Sequence, residues 1–350
     1  MNAPPISIAG RKIGPAEPPY VIAEMSGNHN GDIGRALALI EAAAEAGADA
    51  VKLQTYTADT ITLDHDGPGF VVEGGLWNGR RLYELYEEAH TPWAWHPRLF
   101  EKARALKIAC FSSPFDPTAV DFLESLGTPA YKVASFEIVD IPLVEAMART
   151  GKPMIISTGL ASQEDVADAT AAARGAGAHE IVLLHCTSGY PTPAAQMHLK
   201  TMRHLAEATG ALVGLSDHTL GTAVAVAAVA LGACVIEKHF TLARADGGPD
   251  SAFSLEPDEL VRLVADCRAA WEALGEVHYG EVAAEAASRD HRRSLYVVAD
   301  VRRGETLTPA NVRSIRPGHG LAPKHLPEVI GRLAVRDLKR GEPLAWDQIV

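Results

Sequence analysis

The sequence has no excess of positive charge. Its 350 residues carry 32 Lys and Arg against 44 Asp and Glu, a formal balance of −12. Without a basic face, broad binding to nucleic acid or to an anionic membrane is excluded. An anionic small substrate is still admissible, because a few converging lysines outweigh the global sign locally. Cysteine is sparse: Cys110, Cys186, Cys234 and Cys267 show neither paired nor CxxC spacing. That argues against a disulfide framework or a thiolate zinc site and reads as reduced, buried thiols. Long apolar runs are missing as well. The longest, around 221 to 236, is alanine-rich and broken by Thr and Gly, so it suits a buried helix and not a membrane span. The opening MNAPPISIAGRKIG shows neither the charged nor the apolar region of a secretory signal, and a cytoplasmic location is expected. Within it, IAGRKIG suits a small hairpin closing the bottom of the fold.

What is present is alternation. YVIAEMSGN reads as a strand, DIGRALALIEAAAEAGA as a helix, and DAVKLQTY as the next strand. After a long insertion, 57–95, the pattern continues through IACFSSPF, PAYKVASFE, KPMIISTGL, EIVLLHCTSGYP, ALVGLSDHT and CVIEKHF, with a helix between each pair and DELVRLVADCRAAWEALG last. Eight strand–helix units over about 270 residues predict an α/β fold, a (β/α)8 TIM barrel over 1–275. A polar, helical linker follows over 276–290. The segment 291–350 contains an internal echo, VVADVRRGETL and AVRDLKRGEPL. It predicts a small, mostly β domain with pseudo-twofold symmetry, near the lower size limit for independent stability and in need of a partner surface.

In such a barrel the chemistry sits at the carboxyl ends of the strands. Those ends are polar throughout: Glu24, Asn28 and His29; Lys52 and Gln54; Ser112 and Ser113; Lys132, Ser135 and Glu137; Ser157 and Thr158; Thr187, Ser188 and Tyr190; Ser216, Asp217 and His218; Glu237, Lys238 and His239. A barrel serving only as a scaffold has no need of charge on nearly every strand. Lys52 and Lys132, with Ser135, Ser157, Ser188 and Ser216, supply cations and short hydroxyl donors suited to a phosphate or carboxylate. His218 and His239, at matching ends of neighbouring strands, suit a metal with open positions for oxygen ligands. Strand alternation turns Asp217 and Glu237 away from the histidines beside them. A rival reading makes Lys132 the Schiff-base lysine of an aldolase. Cys186, at a strand end, is discounted as a nucleophile because no His is adjacent to it in sequence in the right direction.

IAEMSGNHNGD, GADAVKLQTYTADTITLD, PAYKVASFE, IISTGLAS, HCTSGYPTP, GLSDHT, EKHFTL and GGPDSAFSLEP resemble, in order and spacing, the sialic acid synthase family. The tail, with RRSLYVV, NVRSIRPGHGL and PLAWDQI, resembles that family's antifreeze-like (SAF) domain. QTYTADTITLD and LWNGRRLYELYEEAHTPWAWH are similar to its pseudaminic branch; legionaminic and neuraminic acid synthesis are the alternatives within the family. The resemblance implies a transferase that condenses phosphoenolpyruvate with an N-acetylated amino sugar, here 2,4-diacetamido-2,4,6-trideoxy-L-altrose. It further implies that Lys52, Lys132, Ser135, Ser157, Ser188 and Ser216 hold phosphoenolpyruvate, and that His218 and His239 bind a divalent ion, Mn2+ or Mg2+. Glu24, Gln54, Glu137, Tyr190 and Asp250 are expected to face the sugar, with Glu24 or Glu137 as acid/base. Arg316 is expected to reach an acetamido group across a domain-swapped homodimer. The aromatics of the insertion, Trp77, Tyr83, Tyr86, Trp93 and Trp95, either line or lid a less polar pocket or pack on the barrel rim.

Overall fold

The computed structural model describes residues 3–350. They divide into two units, one ending at Gly275 and one beginning at Glu276. The first opens with a hairpin, β1 (Ile6–Ile8) and β2 (Arg11–Ile13), turned at Ala9–Gly10, where both φ angles are positive. Ile6, Ile8 and Ile13 are buried against Tyr20, Ile22, Phe111 and Ile155, so the hairpin seals the amino-terminal end of the barrel with aliphatic surface.

The barrel strands are β3 (Tyr20–Glu24), β4 (Ala50–Thr55), β5 (Ala109–Pro114), β6 (Tyr131–Val133), β7 (Met154–Ser157), β8 (Ile181–Cys186), β9 (Leu212–Asp217) and β10 (Val235–His239). All pair in parallel, and β10 returns to β3 to close the ring. Its helices are α1 (Ile33–Glu45), α2 (Ala58–Ile61), α3 (Leu82–Ala89), α4 (His96–Leu106), α5 (Pro117–Ser125), α6 (Ile141–Ala148), α7 (Gln163–Gly175), α8 (Lys200–Thr209), α9 (Ala223–Ala230) and α10 (Pro257–Leu274). Asp32, Asp116, Asp140 and Ser162 cap the first free N–H groups of α1, α5, α6 and α7, which is why those helices start where they do. The short α2 and α3 belong to the 57–95 insertion.

Alternation along each strand sends every second side chain into the barrel. The inward set is apolar at the amino-terminal half, with Tyr20, Ile22, Ala50, Phe111, Ala130, Ile155, Val182, Leu184, Leu212 and Val235 in one buried cluster. Further along the same strands it becomes Glu24, Lys52, Ser113, Lys132, Ser157, Ser216 and Glu237, all buried. Gly214 belongs to this interior. A Cβ there would collide with the Val235 carbonyl oxygen and lie 2.8 Å from Leu184 Cδ2, so only glycine lets β9 and β10 approach this closely.

The second unit contains an exposed run of 3-10 turns (Ala283–His291), β11 (Ser294–Val297), β12 (Val312–Ile315) and α11 (Leu326–Val329). The two echo segments pair with each other. Val301 and Leu338 exchange backbone hydrogen bonds, Gly304 N donates to Ala334 O, and Gly341 N donates to Val297 O. The side chains repeat the symmetry: Arg303 N donates to Asp337 at 2.8 Å and Arg340 N to Asp300 at 2.9 Å. The core between them is small, built on Leu295, Val297, Val301, Leu307, Leu338 and Leu344.

Candidate active site

A four-membered ionic network fills the carboxyl end of the barrel. Lys52 Nζ lies 3.0 Å from Glu24 and 3.3 Å from Glu237, and Lys132 Nζ lies 3.8 Å from Glu237. Register explains the first contact, since Glu24 and Lys52 are direct partners on β3 and β4. All four side chains are buried, so each charge depends on the others. Burial raises the Glu24 carboxyl to about 7, although Lys52 opposes the shift. Burial also lowers the Lys132 amine to about 8, against the pull of Glu237. Ser216 Oγ donates to Glu237 at 3.3 Å, and Gln54 Nε2 donates to Glu24 at 3.0 Å.

Glu237 corrects the sequence reading. It stands two residues from His239 on β10 and not beside it, so both side chains face inward; Asp217, adjacent to His218, faces outward as expected. There Asp217 pairs with Lys238 at 2.7 Å, fully buried. Asn28 bonds Phe240 O and Ser254, His29 packs edge-on against Trp95, and Ser112 joins Thr55. None of these five belongs to the ionic network.

Beside the network is a small-residue cleft. Ser135 Oγ accepts from Gly159 N at 3.2 Å, and the buried Ser157 Oγ has no hydrogen-bond partner among the described residues. A Cβ on Gly159 would collide with Ser188 Oγ and stand 2.7 Å from Ser135 Oγ. Glycine at 159 therefore keeps the space between the two serines open.

The imidazoles of His218 and His239 lie with ring centroids 5.3 Å apart. His218 Nδ1 is 3.1 Å from Thr187 O, a contact that requires a proton on Nδ1 and leaves the lone pair on Nε2. His239 Nδ1 is buried without a partner, and burial together with nearby positive charge holds its pKa well below the ordinary value. Two inward imidazoles with lone pairs, one oriented by a backbone carbonyl, fit a divalent cation that takes its other ligands from oxygen donors. Among the described residues no group of three or more His, Cys, Asp or Glu side chains converges on one point. His185, the sequence neighbour of Cys186, turns to Met197 O, and Cys186 is instead 3.8 Å from His218 Nδ1, because β8 and β9 are adjacent.

A cavity of about 460 Å³ opens next to His239. Gln54, Glu137, Tyr190, His239 and Asp250 are among the residues that line it. Burial raises Glu137 to about 7, and its Oε2 has no partner. Asp250 accepts from Ser26 Oγ, a residue the sequence reading passed over; only the fold brings the loop after β3 to that after β10. Tyr190 stacks obliquely on His218 at 4.5 Å. Arg316 follows β12 in the second unit.

The NeuB family matches residues 39–279, and the SAF domain matches residues 292–350. The chain belongs to the NeuB family. It is 43% identical over 337 residues to the pseudaminic acid synthase of Helicobacter pylori, covering 95% of this chain and 98% of that protein. To the N,N'-diacetyllegionaminic acid synthase of Campylobacter jejuni it is 36% identical, covering 92% and 97%. Among solved structures, the N-acetylneuraminic acid synthetase of Leptospira borgpetersenii, in complex with citrate, superimposes with a TM-score of 0.73 at 31% identity, covering 82% of this chain and 96% of that one. This NeuB-family chain is thus an enzyme of the sialic acid synthase type. No helix among its described residues is long and apolar enough to cross a membrane.

Proposed function

We propose that the enzyme is a pseudaminic acid synthase, condensing phosphoenolpyruvate with 2,4-diacetamido-2,4,6-trideoxy-L-altrose and water to give pseudaminic acid and phosphate. The observation that carries this reading is the arrangement of one barrel mouth. Two buried lysines and a serine cleft, suited to a small polyanion, adjoin a cavity lined by the unpartnered carboxyl of Glu137 and by the aliphatic side chains of Ile61, Val72, Leu82 and Leu85. Product mass spectrometry with phosphate release tests it, using phosphoenolpyruvate, Mn2+ and three sugars: the altro trideoxy sugar, its manno counterpart and N-acetylmannosamine. Turnover of the altro sugar alone is expected. Turnover of another sugar instead moves the branch, and silence with all three refutes the reading.

Lys52 and Lys132 hold the phosphate and carboxylate of phosphoenolpyruvate, and Ser135, Ser157, Ser188 and Ser216 donate to its oxygens. Gly159→Ala presses on two of these serines. Losing one charge-assisted bond, about 1.5 kcal/mol, is expected to raise KM for phosphoenolpyruvate about tenfold with an unchanged melting temperature. A wild-type KM would remove the cleft from the site.

His218 and His239 would hold a divalent ion, Mn2+ or Mg2+, which when bound supplies Lewis-acid polarisation of a carbonyl. Gln54, Tyr190 and Asp250 orient the sugar. C3 of phosphoenolpyruvate attacks the aldehyde carbon, and the aldehyde oxygen takes a proton from Glu137, whose free Oε2 suits that role better than Glu24, with both oxygens engaged. Water adds at C2, and the phosphate hemiketal collapses with C–O cleavage. Of the water's two protons, one restores Glu137 and the other leaves with phosphate.

An acid with a pKa of about 7 acts in its protonated form, so kcat/KM for the sugar is expected to fall as pH rises through 7. Glu137→Gln should erase that limb and lower kcat about 10²–10³-fold. Persistence of the limb would move the acid role elsewhere. The reading also includes a domain-swapped homodimer in which Arg316 meets an acetamido group of the partner's sugar, supported by the SAF match and the small core of the tail.

A further inference from the structure

The insertion that precedes α4 carries nine charged side chains between residues 57 and 95. None of them lines the cavity. Arg80 pairs with Glu88, and Arg81 with Asp64 and Glu84, on the solvent side. Into the cavity the segment turns Ile61, Val72, Leu82, Leu85 and Ala89, together with Trp77 and Tyr86. The polar lining residues Gln54, Glu137, His239 and Asp250 come from the barrel and its own loops. The insertion therefore gives the cavity no charged side chain and mostly aliphatic ones, although it has charge to spare.

The aliphatic lining is also fixed in place. Val72 sits in a short hairpin closed by the Val71–Arg81 bridge, with Val72 N donating to Arg80 O and Gly79 N to Val72 O. At the tip, Trp77 Nε1 donates to Pro249 O at 2.9 Å, and its ring leans on Tyr190 at 5.4 Å. The hairpin is thus tied to the loop that bears Asp250.

We infer that Ile61, Val72, Leu82 and Leu85 are the specificity-determining surface for the end of the sugar remote from its aldehyde: they accept a methyl group there and penalise a hydroxymethyl. This rests on the reading above, in which the aldehyde end lies toward His239. A hydroxyl carried onto these four side chains loses water and finds no donor or acceptor on any of them; among the insertion's lining residues the phenol of Tyr86 is the one hydroxyl. An apolar pocket discriminates against an added hydroxyl only to about 10²-fold, which sets the size of the effect.

The test compares kcat/KM for the 6-deoxy diacetamido sugar and its 6-hydroxy analogue of the same configuration, in the full-length enzyme with phosphoenolpyruvate and Mn2+. The wild type is expected to favour the deoxy sugar by about 10–10²-fold. Leu85→Asn and the near-isosteric Val72→Thr, which gives a folded comparison if the first variant is unstable, are each expected to cut that ratio about tenfold. The change should lie in KM for the sugar, with KM for phosphoenolpyruvate unmoved. An unchanged ratio in both folded variants, or a wild type that turns over both sugars equally, overturns the inference and leaves the synthase reading standing. A wild type inert toward the deoxy sugar overturns both.

Discussion

Lys52→Met is expected to lose about 10²–10³-fold in kcat/KM and, separately, about 3–5 kcal/mol of stability. The first loss follows from removing a cation that the proposed mechanism sets against the anionic substrate. The second follows from what Lys52 touches in the protein: Glu24 at 3.0 Å and Glu237 at 3.3 Å, all three side chains buried. Without the ammonium group two carboxylates share a dry site with only Lys132 nearby. Burial already lifts Glu24 to about 7, and Lys52 is the strongest influence opposing that shift, so its loss raises the folded-state value further. A carboxyl whose folded pKa exceeds its unfolded pKa takes up protons on folding, so its cost grows as pH rises above the unfolded value, about 4.3. Wild type and variant carry the same Glu24 cost up to about pH 7, the wild-type folded value, and diverge above it. The deficit should therefore be larger at pH 9 than at pH 6, as read by denaturant midpoints at the two values. Equal deficits would show that packing, and not charge, is what Lys52 supplies.

Chelation of the enzyme should abolish phosphate release on the order of 10³-fold, with recovery on adding Mn2+. His239→Ala should match that loss and, independently of turnover, fail to take up Mn2+ in an equilibrium titration followed by electron paramagnetic resonance. The lone pairs argue for this: Nδ1 of His239 is buried and unpartnered, and Thr187 leaves Nε2 of His218 free. The competing Schiff-base mechanism has its own observation, the Lys132 amine lowered to about 8 by burial. Borohydride with substrate distinguishes them. A covalent adduct on Lys132 in the chelated, still active enzyme would overturn the metal reading, whereas no adduct is expected. Lys132 near Glu237 is better placed to hold an anion than to stay neutral beside one.

Much of the architecture was legible because hydrophobic period and turn residues repeat eight times, and a parallel barrel is the arrangement that buries eight such units in sequence order. The inward set at the strand ends was legible for the same reason: Glu24 and Lys52, two and three residues from their turns, sit where alternation puts them. Glu237 stands two residues before His239 on β10, so the same alternation that turns His239 inward turns Glu237 inward with it. The insertion was harder. Its aromatics drew attention, yet Trp93 stacks on Phe122, Trp95 packs against His29, and Tyr83 bonds Asp59. Trp77 and Tyr86 alone of the five line the cavity, while the insertion's lining is mostly aliphatic. A segment without regular period offers no face to count, so its sorting depends on where the barrel holds it.

Sequence by itself determined the residue types at each strand end, the internal twofold of the tail, and the family. Tertiary structure decided the contacts between strands distant in the chain: Glu24 with Lys52, Ser26 with Asp250, Cys186 with His218, Trp77 with Pro249. The physical reason is that periodicity is a local property, carried by the pleat of one strand. The meeting of two side chains across a barrel is set by ring closure and register, which no single segment contains.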